Sequence, residues 1–514
     1  MLLIFFDGHP PHGVVHRGAH HPSCTEIMAD RDLANVISLV EQIQPALERG
    51  ERAKLNDIVE RLVALRAPLG GQWQQLAYIA AGYGELTLAR KAIDLLVEAA
   101  GGDAMAKFHK VAFLSTLGLW AEVDALLQTL PDTIPDPASN AYSRGNAALN
   151  LGRREEALRY LEHATRLRPQ SGFAWFTYAM ATDFSAASGE ADRLIAAERG
   201  VGQASAQERV PYYYALGKLH ADRGAHKLAF EAFARGAQLQ KALAPYDQDA
   251  DRADAAKAVE GYSADRIATI AGSQHERTDR TIFVAGLPRS GTTLLEQILT
   301  SHSAVSDGGE IARLFLLSTE VGGASWAPLA RHVEVHGAEP AARLWNHWLN
   351  EQFPGNGRIV DKTVTTSRFL GLAAALLPEA PLIWMTRDPL DRAWSCFRTN
   401  FSGTAMPWSY DPADIAAHFR IEDQLLAQWQ AILGDRLLVV PYEALVTDPD
   451  FWIRRVLSHC GLLQEPQVFA PHENRRPVAT ASMVQVRRPI NRDAIGAAEP
   501  YRAFMGAFVE AYSA

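Results

Sequence analysis

The stretch TIFVAGLPRSGTTLLEQIL, Thr281 to Leu299, decides how the second half of this chain folds. Thr281 to Ala285 is β-branched and aromatic without polar alternation, the composition of a strand buried on both faces of a parallel sheet. Gly286 to Thr293 then makes a tight turn rich in hydroxyls, and Leu294, Leu295, Ile298 and Leu299 recur at helical spacing. Backbone N–H groups gathered in a loop that opens a helix form an anion site, since the unpaired donors and the helix dipole point the same way. The segment is therefore predicted to be strand, phosphate loop, helix. Arg289, Ser290, Gly291, Thr292 and Thr293 are the candidate phosphate ligands.

A Walker A loop carries a lysine after its second glycine to reach the outer phosphates of a nucleoside triphosphate. Gly286 and Gly291 have that glycine spacing, but Thr292 stands where the lysine belongs. The cation of this loop is Arg289, inside the turn. One compact phosphate suits such a loop better than a magnesium triphosphate, which disfavours a nucleotide kinase.

Three more stretches read as parts of the same open α/β sheet. Ile359-Val360 ends a short strand at Asp361-Lys362-Thr363. Pro381 to Thr386 is a second buried strand, with Arg387 directly after it and Ser395 about two turns into the next helix. Leu437 to Pro449 is a further strand running into a helix start at Tyr442. Open α/β sheets bind ligands at the carboxyl ends of their strands, and an arginine fork there can donate two hydrogen bonds to one phosphate. Between these stretches, SHSAVSDGGEI sets Glu310 in a Gly-rich loop, where a carboxylate can face a pocket.

With LPRSGTTLLEQIL, these segments resemble the sulfotransferase superfamily, above all its tyrosylprotein-sulfotransferase branch and bacterial proteins joining that domain to tetratricopeptide (TPR) repeats. The likeness runs from about Thr281 to Asn491 and weakens beyond. It implies transfer of a sulfuryl group from 3′-phosphoadenosine 5′-phosphosulfate (PAPS) to an acceptor hydroxyl, pointing to a peptide tyrosine, with PAP as product and no metal. It implies that the loop holds the 5′-phosphate and that Arg387 and Ser395 hold the 3′-phosphate. By the same likeness Glu310 is the base, and Lys362, Arg289 and Ser482 stabilise charge on the sulfuryl group and the departing phosphate. His302 is the rival base, since cytosolic sulfotransferases use a histidine, but it sits at the end of the loop helix. Tyr442 matches a position near the nucleotide, although a core-edge tyrosine reads the same way. The element SMVQVRRPIN resembles the family's segment that closes over the cofactor and contains Ser482, Arg487 and Arg488. Two departures stand out: Thr399 replaces a further arginine, with Arg398 beside it, and Ala497 stands where a basic ligand is usual. Asp388 and Arg392 read as a structural ion pair.

The first half repeats with a period of about 34 residues, the length of a TPR unit. The clearest copy, Ala138 to Ser171, places Gly145, Ala148, Ala157, Leu161, Ala164 and Pro169 at that repeat's packing offsets. Earlier copies centre on Ala89 and Val123, and later ones on Ala191 and on Gly217, Ala229 and Phe233. Stacked helical pairs bury a continuous core and expose a concave groove. That groove either docks a peptide or partner protein or only braces the enzyme. The expected organisation is a disordered leader over 1–30, TPR-like repeats over 31–241, a helical linker over 242–280 and a sulfotransferase domain over 281–514. Overall this is an all-α superhelix followed by a P-loop-like α/β domain.

Composition bounds the remaining classes. A net charge of −9 argues against a general nucleic-acid binder. Cys24, Cys396 and Cys460 are too few and too scattered for a disulfide framework or zinc site, which fits a reducing, cytoplasmic setting. No run of about 18 apolar residues is present to span a membrane. The rival from another class is a TPR adaptor whose second half has kept the fold and lost turnover.

Overall fold

The computed structural model describes residues 30–186, 189–401, 403–474 and 488–513. Ser482 and Arg487 lie outside the described residues, as does nearly all of the expected leader. The chain divides into two compact units, Met1–Pro135 and Asp136–Ala514.

In the first unit, helices pair in sequence order: Gln72–Gly82 with Leu86–Ala99, and Ala104–Thr116 with Trp120–Gln128. Trp73, Ala89, Ile93 and Val123 are buried, so the residues that carry the period form the seams. The second unit opens with two further pairs, Pro137–Asn150 with Arg154–Leu167 and Ala206–Asp222 with His226–Leu243, and between them Gly172–Ala181 packs against Arg154–Leu167 and Ala206–Asp222. The start at Pro137 is set locally: Asp136 accepts the Ser139 N–H at 3.0 Å, and proline occupies a position whose N–H would have no partner. Glycine has a packing reason in two of these pairs. A Cβ at Gly145 would lie 2.7 Å from Leu161 Cγ, and one at Gly217 would lie 2.5 Å from Phe233 Cδ1. Each glycine thus lets its helix close on a large side chain sixteen positions later.

The remainder of the second unit is built on five parallel strands. They are β1 (Thr281–Ala285), β2 (Val305–Asp307), β3 (Arg358–Asp361), β4 (Leu382–Thr386) and β5 (Leu437–Pro441), in spatial order β2-β3-β1-β4-β5. Central β1 is buried throughout, and its residues alternate between two cores. Phe283 and Ala285 face Trp345, Trp384 and Trp429; Ile282 and Val284 face Leu295, Ile298, Met385 and Val440. Truncating Phe283 to Ala would cost about 3–5 kcal/mol, because nothing nearby can fill the cavity without breaking its own packing. Residues 242–280 contribute to the first of these cores: Gln248–Val259 and Ala264–Ala271 are helices, and Tyr262, Ile267 and Ile270 pack in the Phe283 cluster. Among the described residues no helix is long and apolar enough to cross a membrane.

Candidate active site

β1 delivers the chain to the carboxyl edge of the sheet, where the phosphate loop turns over β4. Gly286 sits so close that a Cβ there would be 2.6 Å from Met385 O. Gly291, with φ of +94°, opens the helix Thr292–Leu299, and a Cβ on it would lie 2.5 Å from Tyr442 Cδ2. Tyr442, first residue of a short helix after β5, is therefore the floor under the loop. Arg289 also adopts left-handed backbone, at φ +68°, a conformation that costs a non-glycine residue about 1–2 kcal/mol. The buried Ser290 Oγ has no hydrogen-bond partner. An orphaned buried hydroxyl costs about 1–3 kcal/mol, so the loop is incomplete without an acceptor such as a phosphate oxygen.

Three arginines gather behind this loop. Arg289 Nε donates to Ser395 Oγ at 2.8 Å, Ser395 being buried in the helix Pro389–Phe397. Arg387 Nη1 donates to Arg289 O at 3.0 Å and Nη2 to Ala494 O at 2.6 Å, with its guanidinium 4.8 Å from the Tyr442 ring centroid. Its buried Nε has no acceptor. Burial foremost, then the charges of Arg398 and Arg387, hold the Arg289 guanidinium down to about 10. Burial likewise lowers Arg398. Guanidinium groups carry their charge at neutral pH, so the cluster is an anion receptor whose charges repel one another until an anion enters. Burial pushes the adjoining Cys396 thiol up to about 12, which leaves it a neutral packing residue.

The tail after residue 488 reaches the same edge. Buried Asp391 accepts N–H bonds from Gly496 at 2.7 Å and Ala498 at 2.8 Å, while Arg488 is exposed. The expected Asp388–Arg392 pair does not form. Asp388 caps its helix by accepting the Asp391 N–H, and Arg392 instead faces Asp423 at 3.8 Å. Capping wins because an Asp at a helix start meets orphan backbone donors before any side chain four residues away.

The neighbouring strand ends bring Glu310 to Lys362. Gly308 N–H donates to Val360 O at 3.1 Å and Lys362 N–H to Gly309 O at 2.9 Å, stitching the loop after β2 to the end of β3. Lys362 Nζ then lies 3.6 Å from Glu310 Oε1, with only 4% of the lysine side chain exposed against 55% of the glutamate's. Asp361 organises the turn: its Oδ1 accepts Thr363 N–H at 3.0 Å and Thr363 Oγ1–H at 2.6 Å, and Thr363 Oγ1 accepts Ala312 N–H at 2.8 Å. Burial raises the Asp361 carboxyl above the ordinary aspartate range, against the pull of those hydrogen bonds. His302 is occupied elsewhere, its Nδ1 accepting Ala304 N–H at 3.0 Å and its Nε2 paired with Leu463 O at 3.0 Å. Asp391 escapes motif reading because it acts on backbone distant in sequence, the Gly496 and Ala498 amides.

Residues 281–466 match the model of the sulfotransferase family. A protein of Aquifex aeolicus described only as uncharacterised is 28% identical over 315 residues, 59% of this chain and 41% of that protein. A protein-tyrosine sulfotransferase of Drosophila melanogaster is 25% identical over 243 residues, 42% of this chain and 46% of its own. For protein-tyrosine sulfotransferase A of Caenorhabditis elegans the identity is 25%, covering 43% of this chain and 61% of that one. The matched stretches thus span less than half the length of the first two of these relatives. Among solved structures, the sulfotransferase domain of the Synechococcus PCC 7002 olefin synthase aligns over 47% of this chain and 98% of its own, with 19% identity and a TM-score of 0.33. The corresponding domain from the curacin biosynthetic pathway aligns over 44% and 91%, with 17% identity and a TM-score of 0.30. The α/β part of this chain thus resembles sulfotransferase domains, and among the curated relatives it is similar to protein-tyrosine sulfotransferases.

Proposed function

We propose that the protein transfers a sulfuryl group from PAPS to an acceptor hydroxyl, with a peptide tyrosine the leading acceptor. The observation that carries this reading is the buried anion receptor: Arg289 locked to Ser395, Arg387 locked to the loop, and an orphaned Ser290 hydroxyl at the helix start. Those donors fit a ligand with two separate phosphates, the loop taking the 5′-phosphate and the Arg387–Ser395 side the 3′-phosphate. When bound, PAPS supplies the sulfuryl group and a phosphate leaving group.

Glu310 accepts the acceptor's proton as the new O–S bond forms, and its exposure suits a group that must meet an incoming hydroxyl. Lys362, buried and aimed at the same point, donates to the phosphate oxygen as its bond to sulfur breaks. Arg289 adds charge from the loop, and Ser482 is the family-matched donor from the closing segment. Thr292, Thr293, Tyr442 and Arg488 complete the proposed cofactor contacts. No step needs a metal ion. The helical pairs support a TPR-like array, whose groove would present a peptide or bind a partner protein; the intended setting is cytoplasmic.

Titration calorimetry with PAP in chelator tests the receptor, and labelled PAPS offered with an acceptor panel tests turnover. Sub-millimolar PAP binding without metal, ATP binding far more weakly, and label transfer to a tyrosine peptide are expected. PAP binding without any transfer would favour the adaptor reading; ATP binding as well as PAP would overturn the cofactor assignment.

A further inference from the structure

The last helical pair, Ala206–Asp222 with His226–Leu243, does something its repeat pattern does not require. Ala229 and Phe233 occupy packing positions of the repeat, and both are buried. Phe230 lies off that pattern and is only half-buried, yet it is ringed by aromatics from the α/β domain. Its ring stacks on Phe504 at 5.1 Å, Phe397 at 5.4 Å and Trp394 at 6.3 Å, with interplanar angles near parallel. Trp394 in turn stacks on Tyr501 at 3.7 Å, and Phe233 meets it edge-on at 5.8 Å. Leu287 of the phosphate loop is buried in the same cluster.

The elements so clamped carry the anion receptor. Trp394 and Phe397 flank Ser395, the partner of Arg289. Tyr501 and Phe504 follow the tail whose Ala494 carbonyl holds Arg387 and whose Gly496 and Ala498 are held by Asp391. Stacked aromatic pairs add about 0.5–1.5 kcal/mol each beyond burial, and they fix relative orientation as well as distance. We propose that Phe230 is a positioning residue for the cofactor site, through which the final repeat-like hairpin sets the Ser395 helix and the closing tail around the 3′-phosphate. This rests on the cofactor reading above. It also makes that hairpin part of the enzyme and leaves any docking groove to other faces of the helical region.

Phe230→Ala in the full chain should weaken PAP on the order of tenfold, since a small displacement of ligating groups is costly, while adenosine 5′-phosphate changes less than about threefold. Phe230→Tyr, which keeps the ring, should restore PAP binding. Leu161→Ala, a fully buried truncation in an earlier pair of the same unit, should lower the melting temperature yet leave PAP affinity within about twofold. Should Phe230→Ala not fold, Phe230→Leu carries the same comparison. PAP affinity unchanged by losing the Phe230 ring, or weakened equally by Leu161→Ala, would overturn the brace while leaving the cofactor reading standing. Failure of the unsubstituted chain to bind PAP would overturn both.

Discussion

The two sides of the site are built to different specifications. On the phosphate side Arg289 and Arg387 are half-buried and bonded to their neighbours: Arg289 to Ser395, Arg387 to Arg289 and Ala494, with the loop packed onto Tyr442. On the acceptor side one buried lysine faces a glutamate that is more than half exposed, with 3.6 Å between them. The first arrangement suits a ligand of fixed shape, whose donors are worth most when they need not move. The second suits a substrate that arrives from solvent and must surrender a proton. Affinity should reside on one side and rate on the other.

The largest effect that would break this division is on turnover. Glu310→Gln should lower the rate about 10²–10⁴-fold, the worth of a positioned general base, while PAP affinity stays nearly intact. His302→Ala should matter much less, because both ring nitrogens already bond backbone at Ala304 and Leu463. Rate and PAP affinity measured on the same folded preparations decide it. Collapse in His302→Ala with near-normal Glu310→Gln would reverse the roles.

Sequence made the phosphate side legible because its chemistry is local. A β-branched strand, two glycines and a helix spacing define Thr281 to Leu299, and the structure has β1, the turn and the helix there. The repeat seams were legible for the same reason, as Gly145 with Leu161 and Gly217 with Phe233 are fixed by one offset. What stayed hidden depends on contacts far apart in the chain. Nothing near Phe230 announces Trp394 or Phe504, and nothing near Asp391 announces the Gly496 amide. The helices Arg313–Glu320, Trp326–His336 and Glu339–Gln352, between β2 and β3, carry no motif and went unread, although Trp345 and Trp348 are among the largest buried side chains. Asp388 and Arg392 have the spacing of an ion pair, but the backbone N–H of Asp391 competes for the Asp388 carboxylate and wins it.

The next effects sharpen the phosphate side. Gly291→Ala places a methyl 2.5 Å from Tyr442 Cδ2 on backbone at φ +94°. Backbone strain and overpacking together should cost about 2–4 kcal/mol of stability, read as a lower melting temperature, and PAP binding should fall with it. Arg387→Ala should weaken PAP by about 1.5–3 kcal/mol, the value of a charged hydrogen bond, and adenosine 5′-phosphate far less. Equal loss for both ligands in calorimetry would remove Arg387 from the 3′-phosphate.

The smallest effect probes the joint between the two sides. Asp361 ends β3, and its carboxylate orders Thr363 and through it the Ala312 amide just beyond Glu310. Its Oδ1 makes those bonds, and its Oδ2 is buried. Asparagine keeps the accepting oxygen and removes a charge that burial disfavours, so Asp361→Asn should be neutral or stabilising by about 1 kcal/mol at neutral pH. The sign follows from the raised carboxyl. The folded state holds the proton more tightly than the unfolded chain, so wild-type stability falls as pH rises from the unfolded value of 3.8 through the folded one. The advantage of Asn is therefore full above the folded pKa and vanishes as pH drops to 3.8. Denaturant unfolding of both proteins across that range measures it. A destabilised Asp361→Asn at neutral pH would mean that the negative charge itself, acting on Lys362, holds the acceptor side together.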